Sequence, residues 1–215
     1  ETPFTLYHLC PNAHSRQIFN CSWLWDIHPL VLPYIITLNK KIKNFFDNIT
    51  TLNFATSARD KLIKIWSIPN HHNDPSQQEE LDKIQINKPT DKQTIRLSSP
   101  ATALYNYTYI SYNGNTDDKE NQYEINTILF AGLENGQIHL YRALSSEANF
   151  VHIGCIDTDL THGATINKIT AFTPISNDSQ QTPNAEKIYE QYYNGNITLI
   201  TASDDHSTKI FQIKL

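Results

Sequence analysis

Glycine is scarce in this sequence, at six residues, and methionine is absent altogether. The absence of methionine even at position 1 reads as a piece of a longer protein. With so little glycine there is no glycine-rich loop to cradle phosphates. Cysteine is also sparse. Cys10, Cys21 and Cys155 are odd in number and widely spaced, with no Cys-x-x-Cys. That excludes a disulfide framework and a zinc-finger spacing, and predicts three small buried thiols in a reducing, intracellular setting. Charge is low: 17 Lys and Arg against 22 Asp and Glu give a net −5. The longest basic run, Asn39-Lys-Lys-Ile-Lys43, is short, so direct nucleic-acid binding is not expected. No apolar run reaches transmembrane length, and the first residues lack a basic region leading into an apolar one.

Three segments repeat one another. They are Phe54-Ala-Thr-Ser-Ala-Arg-Asp-Lys-Leu-Ile-Lys-Ile-Trp66, Phe130-Ala-Gly-Leu-Glu-Asn-Gly-Gln-Ile-His-Leu-Tyr141 and Leu199-Ile-Thr-Ala-Ser-Asp-Asp-His-Ser-Thr-Lys-Ile-Phe211. Each opens on small and apolar residues and turns at Asp60, Asn135 or Asp205. Each then closes with alternating apolar residues on an aromatic. Turn residues between two period-2 runs predict a β-hairpin, and three of them predict a repeat architecture.

Other strands follow from the same patterning: Phe4–Leu9, Ile18–Ile27, Thr94–Leu97, Ala103–Tyr112 and Phe150–Cys155. The stretch from His162 to Phe172 repeats the pattern of His14 to Trp23. Residues 70–92, 113–121 and 176–185 are polar connections. Residues 29–48 are ambiguous between strand and helical turn, and residues 187–193 between short helix and strand. Tyr105, Tyr107 and Tyr109 alternate, so they share one face. Helical periodicity is nearly absent, and the expected class is all-β.

These residues resemble a WD-repeat β-propeller. That family's unit has a His-led inner strand, a hairpin turning at Asp and a closing Trp. The first unit matches best: His14 leads Ile18, Cys21 and Trp23 at the family's spacing, Asp60 sits in the hairpin turn and Trp66 holds the Trp position. The third keeps His162, Ser203-Asp-Asp205 and Phe211, with Phe in place of Trp. The second has no leading His and turns at Asn135-Gly136. The resemblance implies four-stranded antiparallel blades, about three of them in this chain. Residues 10–98, 99–157 and 158–215 would be the blades, and residues 1–9 a strand completing the last. It also implies that His14, Thr56 or Ser57, Asp60 and Trp66 form a buried hydrogen-bond network, with His162, Ser203 and Asp205 as its counterpart. Phe211 would leave the third network without its indole donor. Three blades do not close a ring, so a second chain supplying the remaining blades is one expectation. The inserted segments would gather on one propeller face, a docking surface if they are ordered.

No catalytic constellation stands out. His71, His72 and Asp74 are neighbours in a polar connection, a poor metal site. Glu79, Glu80 and Asp82 read as a solvated charge run. No metal and no cofactor is expected. The function implied is a non-enzymatic scaffold that holds protein subunits of an intracellular complex, cytoplasmic or nuclear. The alternative is a propeller module that reads a peptide or a modification.

Overall fold

A computed structural model describes residues 12–24, 51–69, 89–112, 123–144, 149–157, 159–172 and 196–214. They form eleven strands and, among the described residues, no helix. The first sheet contains β1 (Ile18–Trp23), β2 (Thr51–Ala58), β3 (Leu62–Pro69) and β4 (Thr90–Arg96). The second contains β5 (Ala101–Tyr112), β6 (Tyr123–Leu133), β7 (Ile138–Leu144) and β8 (Val151–Ile156). The third contains β9 (Ile166–Phe172), β10 (Asn196–Ser203) and β11 (Thr208–Lys214). Each sheet is antiparallel, with its strands side by side in chain order. The all-β expectation holds, in three separate sheets.

The three hairpins turn alike. In each, the amide of the fourth turn residue donates to the carbonyl of the first: Lys61 to Ala58, Gly136 to Leu133, His206 to Ser203. That fourth residue has positive φ, at 64°, 87° and 63° respectively. This is the tight hairpin whose last loop residue is left-handed. At Gly136 a side chain has no room either, because an added Cβ would stand 1.8 Å from the His162 carbonyl oxygen.

Packing runs first sheet to second to third. Strand β5 lies against β1 and β2 on one side and against β9 on the other. Leu24, Ala55, Ile63 and Ile65 of the first sheet pack on Leu104, Leu129, Leu133 and Tyr141 of the second. The second sheet's other face, with Tyr107, Tyr109, Ile128, Phe130 and Leu140, packs on Ile166, Ile169, Ile197 and Leu199 of the third. Strand β6 is therefore covered on both faces, which explains its unbroken apolar run from Ile128 to Leu133. Gly132 lets the third sheet approach: a Cβ there would meet Ile166 at 2.6 Å.

Polar groups reinforce both seams. Gln93 Nε2 donates to the Phe150 carbonyl and the Phe150 amide donates back to Gln93 Oε1, both at 2.8 Å. Asn106 donates to the Trp23 carbonyl. Across the second seam Thr102 donates to the Ile166 carbonyl at 2.5 Å and Tyr105 to the Ala171 carbonyl at 3.0 Å.

Several expectations change. The last strand of the first sheet starts at Thr90, four residues before the expected Thr94. Its exposed Thr90-Asp-Lys92 carries no hydrophobic signal, and only the partners Trp66 and Ser67 make it a strand. Strand β1 ends at Trp23, and Leu24 bends away to pack. Cys21 and Cys155 are exposed free thiols, against the expectation of burial. Cys21 shares the outward face of the first sheet, and Cys155 lies on the outermost strand of the second. Strand Phe4–Leu9, Cys10, the segments 29–48, 70–88, 113–122 and 176–193, and the pair His71 and His72 with Asp74 lie outside the described residues.

Candidate functional site

Two clusters of buried polar side chains bridge loop and hairpin at the same place on the first and third sheets. In the first, Trp66 Nε1 donates to Thr56 Oγ1 at 2.8 Å. Thr56 Oγ1 lies 2.7 Å from His14 Nε2, and His14 Nδ1 lies 3.0 and 3.1 Å from the two Asp60 oxygens. A neutral His14 with its proton on Nδ1 gives every donor an acceptor: indole to hydroxyl, hydroxyl to Nε2, Nδ1 to carboxylate. The His14 side chain is fully buried, so this complete pairing is what makes its burial tolerable.

Asp60 also accepts the Ser15 and Leu62 amides, each at 3.1 Å. Burial pushes its carboxyl up, but the Ser15 amide, His14 and the Leu62 amide together hold it below the usual carboxylate value. The loop that begins at His14 is thus tied to the hairpin turn by backbone and side chain alike.

In the third sheet His162 takes the place of His14. Its Nδ1 lies 2.8 Å from Asp205 Oδ2 and its Nε2 lies 2.7 Å from Thr201 Oγ1. Ser207 substitutes for what the indole would have added, though at the other end of the cluster. Its hydroxyl donates to Asp205 Oδ1 at 2.6 Å and lies 3.1 Å from His162 Nδ1. The Ser207 hydroxyl leads the causes that hold the Asp205 carboxyl well below its usual value, with His162 and the Ser207 amide behind it.

The structure thus brings together His14, Thr56, Asp60 and Trp66, and separately His162 and Asp205. Ser57 takes no part: its side chain points to the opposite face, where its hydroxyl is buried without a partner among the described residues. Ser203 stands beside the third cluster, donating to the Ala164 carbonyl and accepting the Asp205 amide, each at 3.2 Å. The hydroxyl that meets His162 belongs instead to Thr201, which the sequence reading missed. Its signal was spacing: Thr201 precedes Phe211 by ten residues, as Thr56 precedes Trp66.

The second sheet carries no such cluster. Register places Ala131 where Thr56 and Thr201 stand, and Tyr141 where Trp66 and Phe211 stand. Asn135 only closes its own turn, accepting the Gln137 amide at 3.3 Å. In place of a polar cluster this turn docks on the next unit: Thr161 Oγ1 donates to the Gly136 carbonyl at 2.5 Å. Lys209 then caps the Thr161 carbonyl from the third sheet. Beside Tyr141 lies an aromatic trio with His139 and His152, whose ring centroids are 5.1 to 6.3 Å apart. His139 Nε2 is buried and unpaired among the described residues. Burial and the nearby His152 lower its pKa against the opposing pull of Asp157.

Neither His–Asp–Thr cluster is arranged for chemistry. Both rings of the His pairs are sealed from solvent, and each ring nitrogen is occupied by a partner within the cluster. Among the described residues no three His, Cys, Asp or Glu side chains could hold a metal ion.

No family model and no curated protein sequence matches this chain. Among solved structures, the crystal structure of Saccharomyces cerevisiae Sqt1 is similar over 95% of this chain and 47% of that one, at 9% identity and a TM-score of 0.32. The chain spans about half the length of that protein.

Proposed function

We propose that this chain is a section of a WD-repeat β-propeller and serves as a non-enzymatic scaffold for protein subunits. The observation that carries the reading is the recurrence of one cluster at a similar spacing. His14–Thr56–Asp60 and His162–Thr201–Asp205 share the order His, Thr, Asp, with intervals of 42 and 4, then 39 and 4. Both sit between a leading loop and a hairpin turn, and Trp66 completes the first. A sealed network of this kind fixes the loop that leads into each innermost strand and leaves nothing free for catalysis. Its role is rigidity, so function falls to the surfaces it holds in place.

Residues 10–98, 99–157 and 158–215 are then three blades, and on this reading neither buried cluster serves as a catalytic site. Two exposed, unpaired thiols fit a reducing intracellular compartment. Affinity purification of the tagged chain from its source, followed by mass spectrometry, tests the scaffold. The expected result is a fixed set of protein partners in near-stoichiometric amounts that survives moderate salt. Recovery of the chain alone, or turnover of a small-molecule substrate by the purified chain, would overturn it.

A further inference from the structure

The turn end of the first sheet gathers four exposed cations from three separate pieces of the chain. Arg16 lies in the loop that leads into β1, Arg59 and Lys61 flank Asp60 in the turn between β2 and β3, and Arg96 ends β4. Backbone pairing fixes their closeness. The Arg59 amide donates to the carbonyl of Gln17, next to Arg16, and the Lys61 carbonyl accepts the amide of Leu97, next to Arg96, both at 2.9 Å. Asp60 ties the leading loop to the turn through His14 and the Ser15 amide, so the four stand on a rigid base.

Among the described residues nothing neutralises them. Asp60 is buried, and its oxygens are taken by His14 and by the Ser15 and Leu62 amides. The ion pairs of the described residues involve His14, Lys64 and His162, none of these four cations. The exposed Asp91 lies toward the other end of β4 and pairs with Lys64. Like charges crowded at one corner repel one another, and in a chain of net charge −5 such a cluster is no by-product of composition. Lys61 is a second, independent sign. Its φ is 64°, a left-handed position that the second turn fills with Gly136 and that glycine takes without strain. The first turn holds a lysine there although its fold asks for none.

The same end of the molecule changes sign along the series. Glu134 of the second turn and Asp157, Asp159 and Asp204 of the third unit are exposed acids. The cations beside them are Lys168 and the half-buried Lys209, which caps the Thr161 carbonyl.

We infer that the corner formed by Arg16, Arg59, Lys61 and Arg96 docks an acidic segment of a partner protein, a deepening of the scaffold reading on which it rests. Three of the four are arginines, whose planar forks pair with carboxylates two bonds at a time. A short run of Asp and Glu meets this corner and stops before the acidic end. A nucleic acid fits poorly, because its phosphates would continue over Glu134 and the aspartates of the third unit.

Fluorescence anisotropy of the purified 215-residue chain with a labelled oligoglutamate peptide tests this. The expected result is saturable binding that weakens as salt is raised, with no binding of an oligolysine peptide. Arg59→Glu together with Arg96→Glu should cut the affinity about tenfold or more. Lys61→Gly should also weaken binding while thermal stability stays close to that of the wild type, because glycine suits the turn. Arg142→Glu together with Lys214→Glu makes the same change of net charge away from the corner and should leave binding intact. Absence of binding, an equal loss in the distant pair, or an oligothymidylate bound as tightly as the peptide would each overturn the inference. So would tighter binding after Glu79→Gln, Glu80→Gln and Asp82→Asn, since the chain's own acidic run would then be the occupant. The scaffold reading fails by its own readout, recovery of the chain alone. A full set of partners recovered with the Arg59→Glu, Arg96→Glu variant sinks the acidic docking site and leaves the scaffold standing.

Discussion

At the scale of single residues, the buried hydroxyl of Thr56 has the most to lose. Thr56→Val keeps the shape and strands two partners, the Trp66 indole N–H and His14 Nε2. Leaving buried polar groups unpaired costs about 1–3 kcal/mol each, and urea unfolding should show a loss of that order. At Ser57, whose hydroxyl has no partner among the described residues, Ser57→Ala should cost much less. The pair was legible in the sequence only as an alternative. Alternation decides it, because neighbours on a strand face opposite ways and Thr56, two residues from Phe54, shares the face of Trp66. His139 supplies a pH dependence. Its folded pKa lies below its ordinary 6.5, so the folded protein binds fewer protons there than the unfolded chain. That contribution to stability is intact above about 6.5 and is lost as pH falls beneath it through the folded value. His139→Leu should flatten the thermal-stability profile in that window; an unchanged profile would mean that His139 is not the group responsible.

At the scale of elements, the hairpins were readable because turn chemistry and alternation agreed. Strand β4 was half hidden because an outermost strand needs only one partner and little hydrophobicity. The turn at Asn135-Gly136 belongs to the unit without a leading His, the least like the other two. Its glycine is instead the most constrained, facing the His162 carbonyl at a distance no side chain fits. Gly136→Ala adds left-handed strain to that clash, and we expect a loss of more than about 2 kcal/mol, read by thermal melting. Lys61→Ala, also at positive φ, keeps its Cβ and should be far milder. Between elements, β6 and β11 mark the extremes. Phe130 is covered on the sealed side of β6, so Phe130→Ala should cost about 3–5 kcal/mol. Hydrogen exchange should find the β6 amides among the slowest and those on the outer edge of β11, which has one partner strand among the described residues, much faster.

At the scale of the whole molecule, the all-β class was legible because strand patterning recurs at nearly even intervals. What lies between the sheets was not. Gln93 falls between the polar connection 70–92 and the strand expected from Thr94, yet it grips both backbone groups of Phe150 on the next sheet. Nothing in a single strand's pattern announces a side chain that reaches to another sheet's backbone. Gln93→Ala frees both groups. It should lower stability by about 1–3 kcal/mol and broaden the denaturant transition as the first sheet separates from the other two. A transition that keeps its slope would show that apolar packing alone couples them.

The seam between the second and third sheets has a consequence for how the chain comes apart under force. The loop before β9 is held from two sides, by Thr161 on the Gly136 carbonyl and by Lys209 on the Thr161 carbonyl. Thr102 holds the start of β9 itself. Tension applied to β11 therefore meets a catch at Lys209 before it reaches the second sheet. In an optical trap the third sheet should yield as its own step, and Lys209→Met should lower the force of that step while leaving the others in place.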